Sequence, residues 1–288
     1  MQHGPAVRRR KLGAELRALR TGAGLTSGEA ARLVGWHQSK VSRIETGASG
    51  VKSADVRLLL DAYGVRDTQL RELLLMLAGD DAGAGRHHWW HAYRGVLPPT
   101  YRDFISLESQ ASAMRTLETS VVPGLLQTPE YARAVTRAAV GGLEEADERL
   151  DALVEVRLAR QTVLRGEPPL ELSAVLDEAV LHREIGGPDV MVRQLWRLVE
   201  AGRLPQVRLQ VLPFAAGAHV GITGPFVIFS FSRTSDLDVV VLDHLTSSLY
   251  LERKEDLRAY TEAFNTLRIH ALSPEDSLDY IAGIADGA

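Results

Sequence analysis

The chain has no cysteine, which excludes disulfides and thiolate-based metal or redox sites from the outset. It also has no long apolar run. The densest, Leu73–Leu77, is little more than one helical turn, far short of the ~20 residues that a membrane-crossing helix needs. Arg8, Arg9, Arg10 and Lys11 lie near the N-terminus, but no apolar segment follows them, which argues against a secretory signal. These absences point to a cytoplasmic protein that works without a membrane. Lysine is scarce too: Lys11, Lys40, Lys52 and Lys254 are the four lysines among 33 cationic residues. So heavy a use of arginine reflects a GC-rich gene rather than chemistry.

What is present suits two soluble domains. At 288 residues, and with about 100–200 residues to a domain, the chain can build two cores. Its hydrophobic fraction of 45% and charged fraction of 24% are ordinary for a globular protein. Charge is distributed unevenly: residues 1–80 carry +5 and residues 81–288 carry −9. A basic small domain on an acidic larger one suits an N-terminus that meets phosphates.

The stretch Leu25–Gly47 organises the first part. Before it, Leu12, Leu16 and Leu19 recur at i, i+4 and i+7 and form the buried stripe of a helix from Arg8 to Arg20. Gly22 and Gly24 end it. A second helix opens with Thr26 as N-cap and Glu29 three residues on, a capping box, with Ala30, Ala31, Leu33 and Val34 as its inner face. Gly35 breaks it. A third helix is predicted over Gln38–Thr46, with Gly47 suited to the left-handed position that follows. Val41 and Ile44, three apart, point inward. Gln38, Ser39, Ser42 and Arg43 are left on the other side, with Lys40 on the flank. A polar helix presented this way fits the major groove of double-stranded DNA. Gln38 can pair bidentately with adenine, and Arg43 can do so with guanine or take a phosphate. Ser53 is expected to cap a fourth helix, Ala54–Tyr63, with Val56, Leu59 and Leu60 inward. A leucine-rich fifth follows at Thr68–Ala78.

Leu25, Thr26, Ala31, Gly35, Gln38, Val41, Ser42, Glu45 and Gly47 stand in register with the Cro/repressor (XRE) helix-turn-helix pattern, and residues 8–65 resemble that family. The resemblance implies an all-α, five-helix, lambda-repressor-like domain. It puts Gln38, Ser39 and Arg43 on base-reading positions, and Arg20 and Glu45 on a buried interhelical ion pair. Two residues depart from the pattern. Ser27 stands where the family often has a glutamine that bonds phosphate and braces the recognition helix. His37 replaces the usual Ser or Thr N-cap. Trp36 is read as a packing residue.

Residues 81–98 read as a junction. Gly79–Gly85 is a flexible linker by composition, followed by His87, His88, Trp89, Trp90, His91 and Tyr93. The histidines invite a zinc reading, but no carboxylate follows closely, and the bulky tryptophans favour docking between domains. Helices are then predicted at Tyr101–Arg115, Pro129–Ala139 and Glu144–Leu164, with Thr128-Pro129 as an N-cap followed by proline at the first helical position. Val122–Gln127 is read as an extended, turn-containing segment. After Pro168-Pro169 the period changes to strands at Leu170–Leu176, Val207–Leu212, Pro225–Phe231, Leu237–Leu242 and Ser247–Leu251. Helices at Asp189–Ala201 and Lys254–Ile269 separate or follow them. Residues 99–288 are therefore expected to form a mixed α/β (α+β) domain with a helical lead-in.

Several residues there could pass for chemistry. Asp177 and Glu178 follow a strand end, but charges at that point more often serve a helix N-terminus. Gly217–Pro225 is glycine-rich, yet lacks the lysine of a phosphate-binding loop. His219, Asp243 and His244 could support a nucleophile, though no spacing singles them out. The segments around Trp89-Trp90, Ile105–Glu108, Val122–Arg133, Gly217–His219, Gly224–Phe226 and Ala271–Pro274 resemble the C-terminal domain of actinomycete XRE regulators. That resemblance implies an antitoxin-like or developmental regulator, often encoded beside a small partner protein, and brings no catalytic residues. The expected protein is thus a homodimer on a pseudo-palindromic operator, contacting DNA through Gln38, Ser39, Lys40, Ser42, Arg43, Ser27 and His37. Its C-terminal domain would take a small partner protein or a small-molecule effector. No cofactor, metal or catalytic residue is expected, an enzyme domain with accessory DNA binding being the alternative of another class.

Overall fold

The computed structural model describes residues 4–78, 90, 93, 95–140, 147–231, 238–245 and 247–287. They fall into two units, 1–92 and 93–288. The Gly79–Gly85 segment and His87, His88, Trp89 and His91 lie outside the described residues, whereas Trp90 is buried.

Helices build the first unit: α1 (Gly4–Gly22), α2 (Ser27–Leu33), α3 (Gln38–Glu45), α4 (Ser53–Ala62) and α5 (Thr68–Leu77). Leu12 and Leu16 of α1, Ala30 and Ala31 of α2, Val41 and Ile44 of α3, and Val56, Leu59 and Leu60 of α4 meet in its core. Leu33 does not join them and is 61% exposed. With 3.6 residues per turn it lies about 110° around the helix from the midpoint of Ala30 and Ala31, off the buried face. The Thr26–Glu29 capping box is formed, with each partner's side chain meeting the other's backbone N–H. The fourth helix starts at Ser53 rather than after it. Lys52 takes the N-cap position without a side-chain cap, and the buried Ser53 hydroxyl donates to the Leu75 carbonyl of α5 at 3.3 Å.

The second unit begins with α6 (Pro99–Glu108) and β1 (Ala113–Glu118), and continues with α7 (Pro129–Val140) and α8 (Asp147–Arg160). Then come β2 (Glu171–Asp177), α9 (Ala179–His182), α10 (Pro188–Gly202) and β3 (Val207–Leu212). The strands β4 (Phe226–Ser230), β5 (Val239–His244) and β6 (Ser247–Leu251) precede α11 (Lys254–His270) and α12 (Pro274–Gly287). The six strands form one mixed sheet in the order β3-β2-β1-β4-β5-β6. β1, β2 and β3 run parallel through helical crossovers, and β4, β5 and β6 are joined antiparallel. Leu117, Val175, Leu212, Phe226, Ile228 and Val240 of the sheet pack on Phe264 and Leu267 of α11. The architecture is α/β with a helical lead-in.

The expected helix Tyr101–Arg115 is corrected: α6 stops at Glu108, and Met114 and Arg115 lie in β1. Ala-Met-Arg-Thr-Leu-Glu is a sequence of helix formers, overridden here by pairing with β2 on one side and β4 on the other. The strand expected at Leu237–Leu242 is β5 and begins later, at Val239. A further helix, α12, was not anticipated. Ser273 caps it by accepting from Asp276 N–H at 3.0 Å, and Pro274 sits at its first position.

Val122–Gln127 is the extended, turn-containing segment expected, its turn a largely buried 3-10 turn at Gly124–Leu126. Side chains satisfy its backbone. Gln127 Nε2 donates to Val122 O at 2.7 Å, and Val122 N–H donates to Tyr131 Oη at 3.1 Å. Gln194 of α10 donates to Leu126 O at 2.9 Å and accepts from Thr128 N at 2.8 Å. Behind the turn, Arg160 at the end of α8 meets Glu108 at the end of α6 with two hydrogen bonds of 2.8 and 2.6 Å, and also donates to Tyr101 Oη at 2.7 Å.

Glu118, at the end of β1, accepts a hydrogen bond from Thr116 Oγ1 at 3.1 Å. Burial pushes its carboxyl up from an ordinary 4.5 to about 7, against the pull of Thr116 and of the Arg157 and Arg160 charges. A carboxyl raised in the folded state binds its proton more tightly there than in the unfolded chain. Stability of this unit therefore declines as pH rises from 4.5 to about 7. Glu118→Gln is expected to flatten that decline and to stabilise the unit at about pH 8, as chemical denaturation on either side of the window would show.

Candidate nucleic-acid interface

The DNA-facing candidate is built on α3, which packs against α1 and α2. Val41 and Ile44 drop into the core and turn the opposite face outward, leaving Gln38, Ser39, Ser42 and Arg43 exposed. His37 occupies the N-cap position in extended conformation (φ −77°, ψ 140°) and provides no side-chain cap. A helix start of this kind presents backbone N–H groups and a positive dipole end, which suit a phosphate. At the far end, Gly47 takes φ 68°, a left-handed conformation that strains any side chain.

Two contacts set the side chains of this face. Gln38 Nε2 donates to Ser27 Oγ at 3.0 Å, so α2 steadies the amide. Its second N–H and its carbonyl oxygen are the pair that adenine recognition uses. Lys40 has a different position from its neighbours. Its ammonium lies 2.9 Å from Asp55 of α4 and 3.6 Å from the centre of the Trp36 ring. Trp36 is thus a platform for Lys40. Asp55 was not foreseen as its partner, because residues on separate helices share no local spacing that reveals it. Among the described residues, the Arg43 guanidinium has no hydrogen bond or ion pair.

Beneath the surface, Arg20 of α1 holds Glu45 at the end of α3 through two hydrogen bonds of 2.7 and 3.0 Å. The same guanidinium donates to Leu25 O at 2.6 Å and so fixes the entry to α2 as well. Bonding to Glu45 raises the Arg20 pKa, and burial beside Glu45 raises that of Tyr63. Close by, α1 crosses α3 at Gly13. A Cβ there would come within 2.4 Å of Ile44 O and 2.6 Å of Glu45 O. Gly13 was missed in the sequence, where a glycine inside the Leu12–Leu16 stripe is the available signal.

Of the chemistry candidates of the second unit, His219 and Asp177 come together, and Asp243 and His244 do not join them. His219 Nε2 stands 3.8 Å from Asp177 Oδ2, and Asp177 Oδ1 accepts from Ala179 N at 2.9 Å. Glu178 accepts from Phe214 N and Tyr280 Oη, each at 2.7 Å, and its pKa is lowered by those bonds against the effect of burial. Asp243 and His244 are exposed at the end of β5. Among the described residues, no group of three or more His, Asp or Glu is placed to hold a metal ion. No described helix is long and apolar enough to cross a membrane.

An exposed polar helix, steadied by a second helix across a tight glycine turn, is a helix-turn-helix arrangement of the kind that DNA-binding regulators carry. A helix-turn-helix family model matches residues 11–74. A second, described as a domain of unknown function (DUF5753), matches residues 101–283, and the chain belongs to that family. Comparison with curated proteins and with solved structures gave no match.

Because the atoms facing Gly13 are backbone, they cannot move aside cheaply. Gly13→Ala is expected to destabilise the first unit by about 1–3 kcal/mol, the usual cost of overpacking, read as a lower thermal midpoint. Glu45→Ala, which leaves Arg20 buried and unpaired, should cost about 3–5 kcal/mol in the same measurement.

Proposed function

We propose that the protein is a transcriptional regulator that binds a pseudo-palindromic operator as a homodimer and is not an enzyme. The observation that carries this reading is the outward face of α3, where Gln38, Ser39, Ser42 and Arg43 stand exposed beside the Ser27 brace. Gln38, Ser39 and Arg43 are assigned to base edges. Ser42, Ser27, His37 and Lys40 are assigned to phosphates or to supporting positions, and Lys40 must exchange Asp55 for a phosphate on binding. One short recognition helix reads too few base pairs to specify a site. A second copy about one helical turn away supplies the rest. The second unit would then accept an effector or partner that alters DNA affinity.

A second reading, in which the chain works as an antitoxin-like partner of a small protein, is favoured by the loop after β3. Phe214, Val220 and Ile222 are 60%, 45% and 70% exposed there, an apolar set suited to protein contact. Co-purification with the product of the adjacent gene would favour it over sensing of a small ligand.

The deciding experiment is binding to DNA from the gene's own upstream region, against scrambled DNA, across a salt series. Specific binding with a steep salt slope and two protomers per site is the expected result, and equal weak binding to both DNAs would overturn it. Gln38→Ala should cost about 1–3 kcal/mol and relax preference at one base pair. Lys40→Ala should weaken all sequences alike and reduce the salt slope by about 1.

A further inference from the structure

A pocket of about 360 Å³ opens in the second unit between the start of α6 and the helices α7 and α8. This is within the ~300–1,000 Å³ range of small-molecule sites. Arg149, Leu153 and Arg157 line it from α8 at i, i+4 and i+8, which is one helix face. Thr136, Ala139 and Val140 face them from α7, and Pro98 and Tyr101 close the α6 side.

The polar groups on this wall are nearly all donors. Arg160 Nη1 donates to Tyr101 Oη at 2.7 Å, so the Tyr101 O–H is left to donate elsewhere. Arg157 is half-buried, and among the described residues its hydrogen-bond partner is a neutral amide, Gln127 Oε1 at 3.1 Å. Burial lowers the Arg157 pKa, with the neighbouring Arg160 charge acting in the same direction. Arg149 stands at the exposed mouth. Among the described acids of this region, Glu108 is bonded to Arg160 and Asp151 to Arg133, while Glu118, whose charge reaches Arg157, is shifted by burial toward its neutral form. No lining residue carries a carboxylate. The rest of the wall is apolar, supplied by Leu153, Val140, Ala139 and Pro98.

We propose that this pocket binds a small organic acid, its apolar body between α7 and α8 and its anionic group on Arg157, Arg149 and Tyr101. An arginine whose hydrogen-bond partner among the described residues is a neutral amide gains a charge-assisted pair from such a ligand, which an uncharged molecule cannot supply. The assignment concerns the second unit alone and stands whether or not the first unit binds DNA.

The test uses the full chain with two dyes of nearly the same shape, anilinonaphthalene sulfonate and the uncharged phenylnaphthylamine. The sulfonate is expected to bind one site per chain, with a rise in fluorescence and a higher thermal midpoint. Phenylnaphthylamine should bind about tenfold more weakly or worse, as loss of one charge-assisted contact implies. Arg157→Gln should remove most of that preference, and Arg157→Lys should keep part of it. Arg157 also bonds Gln127, so two variants that spare this bond keep the test decisive should Arg157→Gln fail to fold. Ala139→Trp, on an exposed position, should block binding by filling the pocket, and Arg149→Gln should weaken it. Equal affinity for both dyes would overturn the proposal. So would sulfonate binding left unchanged in Ala139→Trp and Arg149→Gln, or no sulfonate binding to the folded chain.

Discussion

A guanidinium drawn out of water is costly unless a carboxylate meets its edge with good geometry, and in each unit of the chain one arginine is held that way where helices meet. In the first unit Arg20 carries the constraint: it binds Glu45 and the Leu25 carbonyl, so α1, the start of α2 and the end of α3 are fixed by one side chain. In the second, Arg160 binds Glu108 and Tyr101, joining the end of α8 to both ends of α6. Neither pair adds much net stability over an apolar replacement. Each sets the relative position of helices to within hydrogen-bond tolerance, because a shift would leave a charge unpaired in the interior.

These clamps divide the labour among neighbouring cations. Arg20 and Arg160 are consumed by structure, and Lys40 is shared with Asp55 and Trp36. Arg43 and Arg157 are left facing outward or into a cavity with no carboxylate bonded to them among the described residues. The difference lies in geometry rather than residue type. A bidentate carboxylate neutralises a guanidinium, whereas an amide such as Gln127 only orients it.

Much of the first unit was legible in the sequence because its signals are local. Thr26 and Glu29 are three apart, Val41 and Ile44 share a face, and Gly47 follows its helix directly. Leu33 was misplaced by attending to hydrophobicity over angle. In the second unit the strands of β-branched residues were readable, as in Val207–Leu212 and Val239–Val241. β1 was not, since Ala113–Glu118 favours helix on its own and becomes a strand only through β2 and β4. The helix that carries Arg149, Leu153 and Arg157 was legible, but not the face it turns to the pocket. That Tyr101 and Thr136 would face it depends on how three helices cross, which spacing along one of them cannot tell. Lys40–Asp55 and Gly13–Ile44 were hidden for the same reason.

The placement of β1 has a consequence for the order in which the chain acquires structure. As it emerges during synthesis, the first unit has its helices and their partners in hand once α5 is made, because its contacts close over short stretches. β1 sits between β2 and β4, so one of its edges waits for Phe226–Ser230. The edge strand β3 waits longer: Val211 O accepts from Leu272 N at 2.8 Å and Val211 N donates to Ser277 Oγ at 2.9 Å. Loop closures of that length are slow relative to local helix packing. The helix-turn-helix unit is therefore expected to fold first, while the sheet of the second unit still waits for α11 and α12 to cover it.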